Sequence, residues 1–400
     1  MPRPGWRKSE SDRRLPDLVS VGLLMKVFPA DVVDGVIAEC GRTEQRRRSL
    51  PARSMAYFAM GMALHSEGSY EDVLALISDG LAWAHRDELS PKLANKAAIS
   101  HARDRLGPEP MALLFKRVAK PLAAQDSAGC WLAGRRLVAI DGTCLDLPDT
   151  AVNDSHFGRP GVNKGERAAF PQARVVALAE CGTHAIFEAV IGPYTTSEVA
   201  ASVELLGRLQ PGMLCLADRG FYSFKAWQNA CSTGADLLWR VNDNLTLEPV
   251  KDLPDGSWLA EVFDSKADRR REQPVQVRVV SYTIEDGRDP TGPFRLITTL
   301  LDHRKAAAKD LAAAYAQRWE IETAFDELKT HQRGARAVLR SKSPELITQE
   351  IWGHLCCHYA IRSLMFDAAL HAGHDPDRVS FVAALRISRR SIAQQGAFPP

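Results

Sequence analysis

A mixed α/β chain is predicted, with a core of short buried strands between helical segments. Three observations predict it. The apolar runs Leu137 to Ile140 and Met213 to Ala217 each end in an aspartate, the pattern of strands buried on both faces. The strand-like runs 174–179 and 184–191 flank Cys181-Gly182-Thr183, which reads as a hairpin turn. Apolar residues three and four apart recur at 30–40, 52–65 and 70–82 before these runs, and helical stretches follow them at 305–332, which is Ala-rich, at 344–372 and in part of 379–391.

Each segment follows in order. Residues 1–15 form a basic arm, and 16–125 a helical N-terminal domain, DNA-binding by expectation. Within it Ser90-Pro91 is a helix start, with Ser as cap and Pro in the first turn, and the basic helix to Arg105 reads as an ordinary surface helix rather than a recognition helix. The catalytic domain is expected over 126–343: strand 137–140, the hairpin, helix 196–209, strand 213–217, helix 223–231 and strand 236–241. Residues 242–300 lose helical periodicity and hold strand-like 275–282 and 294–300, a β-rich insertion. The helices of 344–400 are a dimerisation surface by expectation.

Four hundred residues exceed what a single core usually serves, and 45% hydrophobic with 25% charged side chains excludes disordered and collagen-like classes. The eight cysteines form no C-x-x-C pair and read as reduced thiols of a cytoplasmic protein. The amino terminus has no apolar stretch after its basic residues, so no secretory signal is expected, and no apolar run approaches the roughly 20 residues of a membrane span. His354 and His358, on either side of Cys356 and Cys357, read as core packing rather than a zinc site, since no second ligand pair accompanies them. The Arg46–Arg48 and Arg269–Arg271 runs read as solvated charge.

Chemistry concentrates in three places. Asp141 and Asp218 each end a buried strand, where carboxylates can converge on a hard divalent cation, although Asp-Gly is also a common turn. Tyr315, Arg318, Glu322 and Lys329 lie in a helical stretch, and at about 100° per residue they share an arc of about 60°. On that count Glu320 and Glu327 point away, and Glu322 is preferred to its neighbour Asp326. An ion pair between Arg318 and Glu322 on a solvated helix face is the plainer reading.

The first Asp in IDGT, the second in LADRGF and the Glu within the Tyr-Arg-Glu-Lys spacing resemble the DDE transposases of bacterial insertion sequences, specifically the IS-four family. The segments DGTCLDLPDT, NDSHFGRPG, AFPQARVVALAECGTH and LSPKLANKAAISHARDRLG are similar to that family too, and the likeness covers most of 16–365. The resemblance implies a ribonuclease-H-like core interrupted by the β-rich insertion between Asp218 and Glu322. It implies cut-and-paste transposition through a DNA hairpin, with Asp141, Asp218 and Glu322 as ligands of two Mg²⁺ ions, Mn²⁺ being an acceptable substitute. Tyr315, Arg318 and Lys329 would grip DNA phosphates, and Trp239 beside Arg240 would stack a flipped base, unless Trp239 is an ordinary strand residue. Terminal inverted repeats and target DNA are the implied partners, a homodimer the implied assembly, and the bacterial nucleoid the implied location. A silent repeat-end repressor and a nuclease without strand transfer are the rival readings.

The net charge of +2 at first argues against a nucleic-acid binder, but it is a cancelled sum. Residues 329–342, with Arg333 and Arg336 among five basic side chains, and 378–400 together carry +9, leaving −7 elsewhere. The first of these segments follows the signature helix directly, and Arg333 and Arg336 are therefore expected DNA contacts, weakened by salt.

Overall fold

Prolines, glycines and small polar caps set many of the element ends in the computed structural model, which describes residues 15–46, 48–85, 94–125, 127–161, 167–264, 274–283, 294–334 and 338–389. Helices come first: α1 (Leu15–Val27), α2 (Ala30–Glu39), α3 (Ala52–Leu64), α4 (Tyr70–His85), α5 (Lys96–Leu106) and α6 (Glu109–Val118). There follow β1 (Trp131–Leu132), β2 (Arg135–Asp146), α7 (Ala151–Phe157), β3 (Gln172–Glu180), β4 (Ile186–Pro193), α8 (Glu198–Leu206), β5 (Met213–Ala217), α9 (Phe224–Cys231) and β6 (Asp236–Arg240). The remainder comprises β7 (Lys251–Asp252), β8 (Trp258–Val262), β9 (Val275–Tyr282), β10 (Phe294–Thr298), α10 (Ala308–Ala316), α11 (Trp319–Asp326), a π-helical turn (Glu327–Gln332), α12 (Pro344–Ala372) and α13 (Phe381–Arg389). Two compact units result, one from the described residues of 1–119, 146–156 and 326–400, the other from 120–145 and 157–325.

The second unit holds the sheet. Its strand order is β4-β3-β2-β5-β6-β10-β9-β8-β7, with β1 paired to β2. β5 runs parallel to β2 and to β6, while β3 and β4 form an antiparallel hairpin. The order β4-β3-β2-β5-β6 is the ribonuclease-H-like core expected from the resemblance. β2 and β5 are uninterrupted apolar runs because both their neighbours are strands and their faces are covered, with Leu137–Ile140 and Met213–Ala217 all buried. The β-rich insertion is not a separate layer. β10 pairs antiparallel with β6, Ile297 opposite Trp239, so the insertion extends the same sheet by four strands.

The first unit is helical. α3 is buried from Met55 to Leu64 and packs against α1, α2, α4, α5 and α12. α12 is the longest helix at 29 residues, started by Ser343, whose hydroxyl accepts from Leu346 N, with Pro344 in the first turn. It ends at Gly373 in the left-handed conformation, φ 63°. The N-terminal and C-terminal helices therefore share one core, although 224 residues lie between Ala119 and Pro344 in the chain.

α5 differs from the sequence reading. Ser90 and Pro91 lie outside the described residues, and the helix starts at Lys96 under Asn95, whose Oδ1 accepts from Ala98 N at 2.9 Å. Arg103, read as part of a basic surface, is fully buried. Its guanidinium donates to Gln349 Oε1 at 2.8 Å, Tyr70 Oη at 3.1 Å, Ser341 Oγ at 3.0 Å and Leu346 O at 3.2 Å. A buried guanidinium persists only where its donors are met, and here Tyr70 of α4, with backbone and side chains of α12 and its approach, meets them. Arg269–Arg271 lie outside the described residues. Among the described residues no helix is long and apolar enough to cross a membrane.

Where α3 and α12 cross, Gly353 is required. A Cβ there would stand 2.5 Å from Ala59 O and 2.9 Å from Ala59 C, backbone atoms that cannot turn aside. Gly353→Ala is expected to lower unfolding stability by about 1–3 kcal/mol, read as a lower urea midpoint.

Candidate active site

Strand register assembles the site. Ile140 is paired with Ala217, and Ala217 with Trp239, across three adjacent parallel strands. The next residues are Asp141, Asp218 and Arg240, so two carboxylates and a guanidinium stand side by side at one level of the sheet. Parallel strands about 4.8 Å apart make such a row unavoidable once the register is set. Arg240 Nη1 lies 3.9 Å from Asp218 Oδ1, and its guanidinium rests 4.1 Å from the ring centre of Phe294.

Glu322 and Arg318 reach the row from α11 and the turn before it. Arg318 Nη2 donates to Glu322 Oε1 at 2.9 Å, and Nη1 to Asp141 Oδ2 at 3.4 Å. The Arg318 side chain is only 6% exposed, while that of Glu322 is 43% exposed. One buried cation thus ties a strand carboxylate to a helix carboxylate. Burial works against the Arg318 charge, but Tyr315, Glu322, Asp141 and Asp218 outweigh it and hold its pKa above the usual value. Burial pushes the Asp141 carboxyl up to about 6, against the pull of the Gly142 N–H and Arg318. Glu322 and Glu198 add to the rise.

The expected single helix over 305–332 is interrupted. α10 ends at Ala316, and α11 starts at Trp319. Across the break the backbone makes three-residue bonds, Gln317 N to Ala314 O at 3.0 Å and Arg318 N to Tyr315 O at 3.1 Å. A tighter turn at this point and a wider π turn at 327–332 mean that no constant angle per residue relates Tyr315 to Lys329. Tyr315 is buried, and its hydroxyl donates to Ala217 O at 3.4 Å, beside Asp218. Burial, with Asp218 next, raises its phenol well above the ordinary value.

Two polar anchors hold these helices. Glu320 turns away from Glu322 and accepts from Gly182 N in the β3–β4 hairpin, with His184 Nε2 at 3.6 Å. Asp255 Oδ2 accepts from Ala308 N at the start of α10, at 2.8 Å, and also binds the fully buried Arg278. Arg278 in turn donates to Ala306 O at 2.7 Å.

Several expected DNA contacts fall elsewhere. Trp239 is fully buried and meets Trp227 edge-on, ring centres 5.3 Å apart, so it presents no face to a base. Alternation along β6 explains this, since Trp239 and Arg240 must point to opposite faces. Arg333 is buried in the other unit, and burial lowers its pKa despite Glu350 and Asp146. Arg336 lies outside the described residues. Lys329 is exposed, in the helical unit.

Two residues went unread in the sequence. Trp319, adjacent to Arg318, is 57% exposed and its ring centre lies 4.6 Å from the guanidinium. Glu198 lies over Gly142, where a Cβ would come within 2.9 Å of its side chain, and pairs with Arg174 at 2.6 Å. Trp319 had a signal, its place inside the signature; Glu198 looked like nothing more than the first residue after a Ser cap.

Residues 132–360 match the model of the transposase DDE domain, and residues 18–116 that of the insertion element 4 transposase N-terminal region. The chain belongs to the DDE transposases of the insertion element 4 family. It is 28% identical over 376 residues to the transposase InsG for insertion sequence element IS4 of Escherichia coli (strain K12), covering 92% of this chain and 82% of the relative. Among solved structures, the piggyBac transposase synaptic complex with hairpin DNA gives a TM-score of 0.47 at 12% identity, covering 93% of this chain and 80% of that one. This DDE transposase is a DNA endonuclease and strand transferase, and its domain type implies use of a divalent metal. The donor set fits such an ion: Asp141, Asp218 and Glu322 offer hard carboxylate oxygen, and among the described residues Arg318 is the cation paired with both Asp141 and Glu322.

Because the folded pKa of Asp141 exceeds the ordinary 3.8, this group favours folding at low pH and costs stability as pH rises from about 4 through about 6. Asp141→Asn is therefore expected to raise the urea midpoint of metal-free protein at pH 7.5 relative to the parent, and to leave it unchanged at pH 4.

Proposed function

We propose that Asp141, Asp218 and Glu322 are the catalytic carboxylates and hold two Mg²⁺ ions, for which Mn²⁺ can substitute. The observation that carries this reading is the single buried Arg318 bonded to both Asp141 and Glu322, with Asp218 in register on the next strand. Carboxylates so close repel, and without a metal an arginine is the charge that offsets them. Bound there, the ions supply Lewis acidity that activates the attacking oxygen and stabilises the leaving one in an in-line displacement at phosphorus.

The chain's own residues do the rest. Asp141 and Asp218 are fixed by the sheet, whereas Glu322 is half exposed on a short helix and can adjust as DNA enters. Arg318 is planar and bidentate, so it can pass from the carboxylates to a phosphate, while Lys329 contributes a point charge. Tyr315, inside the fold, positions the strand end at Ala217 rather than touching DNA directly. Arg240 lies beside Asp218 as a further phosphate contact.

The first step is attack of water on the phosphodiester at the element's end, with the 3′-oxygen as leaving group. The freed 3′-hydroxyl then attacks a phosphodiester of the opposite strand, expelling the 3′-oxygen of the flanking DNA and closing a hairpin. Water attacks the hairpin phosphodiester and expels the element's 3′-oxygen. That 3′-hydroxyl finally attacks a target phosphodiester and expels a target 3′-oxygen. Hairpin closure needs a base turned out of the stack, and Trp319 is the exposed aromatic beside the carboxylates that can receive it. Terminal inverted repeats are the substrate, and two protomers, one per end, make the working assembly.

Incubation of the protein with its flanking inverted-repeat DNA and Mg²⁺ should give cut and hairpin ends. Glu322→Ala should bind the same DNA and cut it at least about a hundredfold more slowly; equal cutting would end the assignment. Cleavage by the parent without joining to a target would instead mark a nuclease. Mn²⁺ affinity, followed by its electron paramagnetic resonance signal, should weaken about tenfold from pH 7.5 to pH 5 as Asp141 takes up a proton. With 2-aminopurine at the base next to the cleavage site, Trp319→Ala should abolish most of the fluorescence change that accompanies hairpin formation, and Trp239→Phe should preserve it.

A further inference from the structure

Lys329 sits on a rare piece of backbone. Residues 327–332 form a π-helical turn, which widens the helix by one residue per hydrogen-bonded ring and recurs at functional sites. Such a turn is disfavoured unless something outside it sets its geometry, and here both of its ends are pinned within the helical unit. At the start, the Glu327 carboxylate is buried and receives Arg362 through two nitrogens, Nε at 2.9 Å and Nη2, with His358 Nε2 at 3.0 Å from the same oxygen as Nε. Arg362 and His358 stand one turn apart on α12, and Phe381 of α13 packs on both, at 5.5 Å and 5.4 Å. At the end of the turn, Gln332 is fully buried, donates to His354 O at 2.9 Å, and its carbonyl accepts from Arg389 at 2.6 Å. Lys329 lies between the two pins and is exposed.

We propose that Glu327, clamped by Arg362 and His358, is the positioning residue that fixes the π turn and thereby aims Lys329 at a DNA phosphate. This rests on the reading of Lys329 as a phosphate contact. A buried ion pair adds little net stability compared with apolar residues of similar size, so its value lies in geometry: a bidentate guanidinium accepts the carboxylate in one orientation only. An apolar pair could fill the space without fixing the turn. Nothing in the cleavage chemistry uses Glu327, whose carboxylate is fully engaged by α12.

The test measures affinity of the full-length protein for a fluorescein-labelled duplex carrying the flanking inverted repeat, by anisotropy across a salt series. Lys329→Ala should reduce the slope of log affinity against log salt by about one, the signature of one lost phosphate contact. Glu327→Gln should reduce it by the same amount, and the double variant should lose no more than either single one. Because Glu327→Gln leaves Arg362 without its anion and can cost stability, a Glu327→Leu/Arg362→Met variant serves as the second arm. It removes both charges, refills the site with apolar side chains, and should show the same reduced slope with an unfolding midpoint near that of the parent. A parental slope in either Glu327 variant while Lys329→Ala is reduced would overturn the proposal, as would additive losses in the double variant. A parental slope for Lys329→Ala would overturn the phosphate reading itself, and the proposal with it.

Discussion

Carboxylates gathered at one level of a buried sheet repel one another, and the rest of the catalytic unit is arranged around that repulsion. Asp141 lies deeper than Asp218 or Glu322, and burial is the main reason its carboxyl is pushed up to about 6. Arg318 is the counterweight, and it can act as one only because it is buried, where a charge pair is stronger than in water. Its two bonds, to Asp141 and to Glu322, draw a strand carboxylate and a helix carboxylate together across the edge of the sheet. Burying Asp141 in this way costs folding stability once its carboxyl is ionised.

Holding Arg318 and Glu322 against that strain falls to contacts with no chemical role. α11 is tied by Glu320 to the β3–β4 hairpin on one side, and α10 by Asp255 and Arg278 to the insertion on the other. The break between the helices at Gln317 and Arg318 follows from these two attachments. Each helix answers to its own anchor, and the short turn between them absorbs the difference while carrying the arginine inward. In the helical unit, the buried Arg103 has a comparable part, joining α5 to α12 through donors that apolar packing could not supply.

Much of this was legible in the amino-acid sequence because strands buried on both faces leave a strong mark. Met213–Ala217 and Val275–Tyr282 match their runs end to end, and α12 coincides with 344–372 through its Ser-Pro start and Gly stop. Asp141 and Asp218 were visible as strand ends, and Glu322 through its spacing from Arg318. What was not legible is what periodicity cannot encode. An angle of 100° per residue presumes an unbroken α-helix, and the break before Trp319 and the π turn after Asp326 depend on remote partners. Burial misled in the same way: Arg103, Arg333 and Trp239 look like surface groups or ligand platforms until the elements covering them are known. Glu198 became noticeable only because Gly142 leaves room for it.

The continuity of the insertion with β6 bears on how this protein can be cut down. A designer seeking a minimal catalytic fragment would look first at residues 242–300, since they lie between the second and third carboxylates and the core strands are complete without them. Removing them would bare one whole side of β6, whose Leu238, Trp239 and Arg240 now pair with Thr298, Ile297 and Leu296. An open, apolar strand edge of that kind invites pairing with the same edge on another molecule. The insertion is thus also the sheet's guard against self-association, and any truncation would have to replace it with another strand or a charged cover.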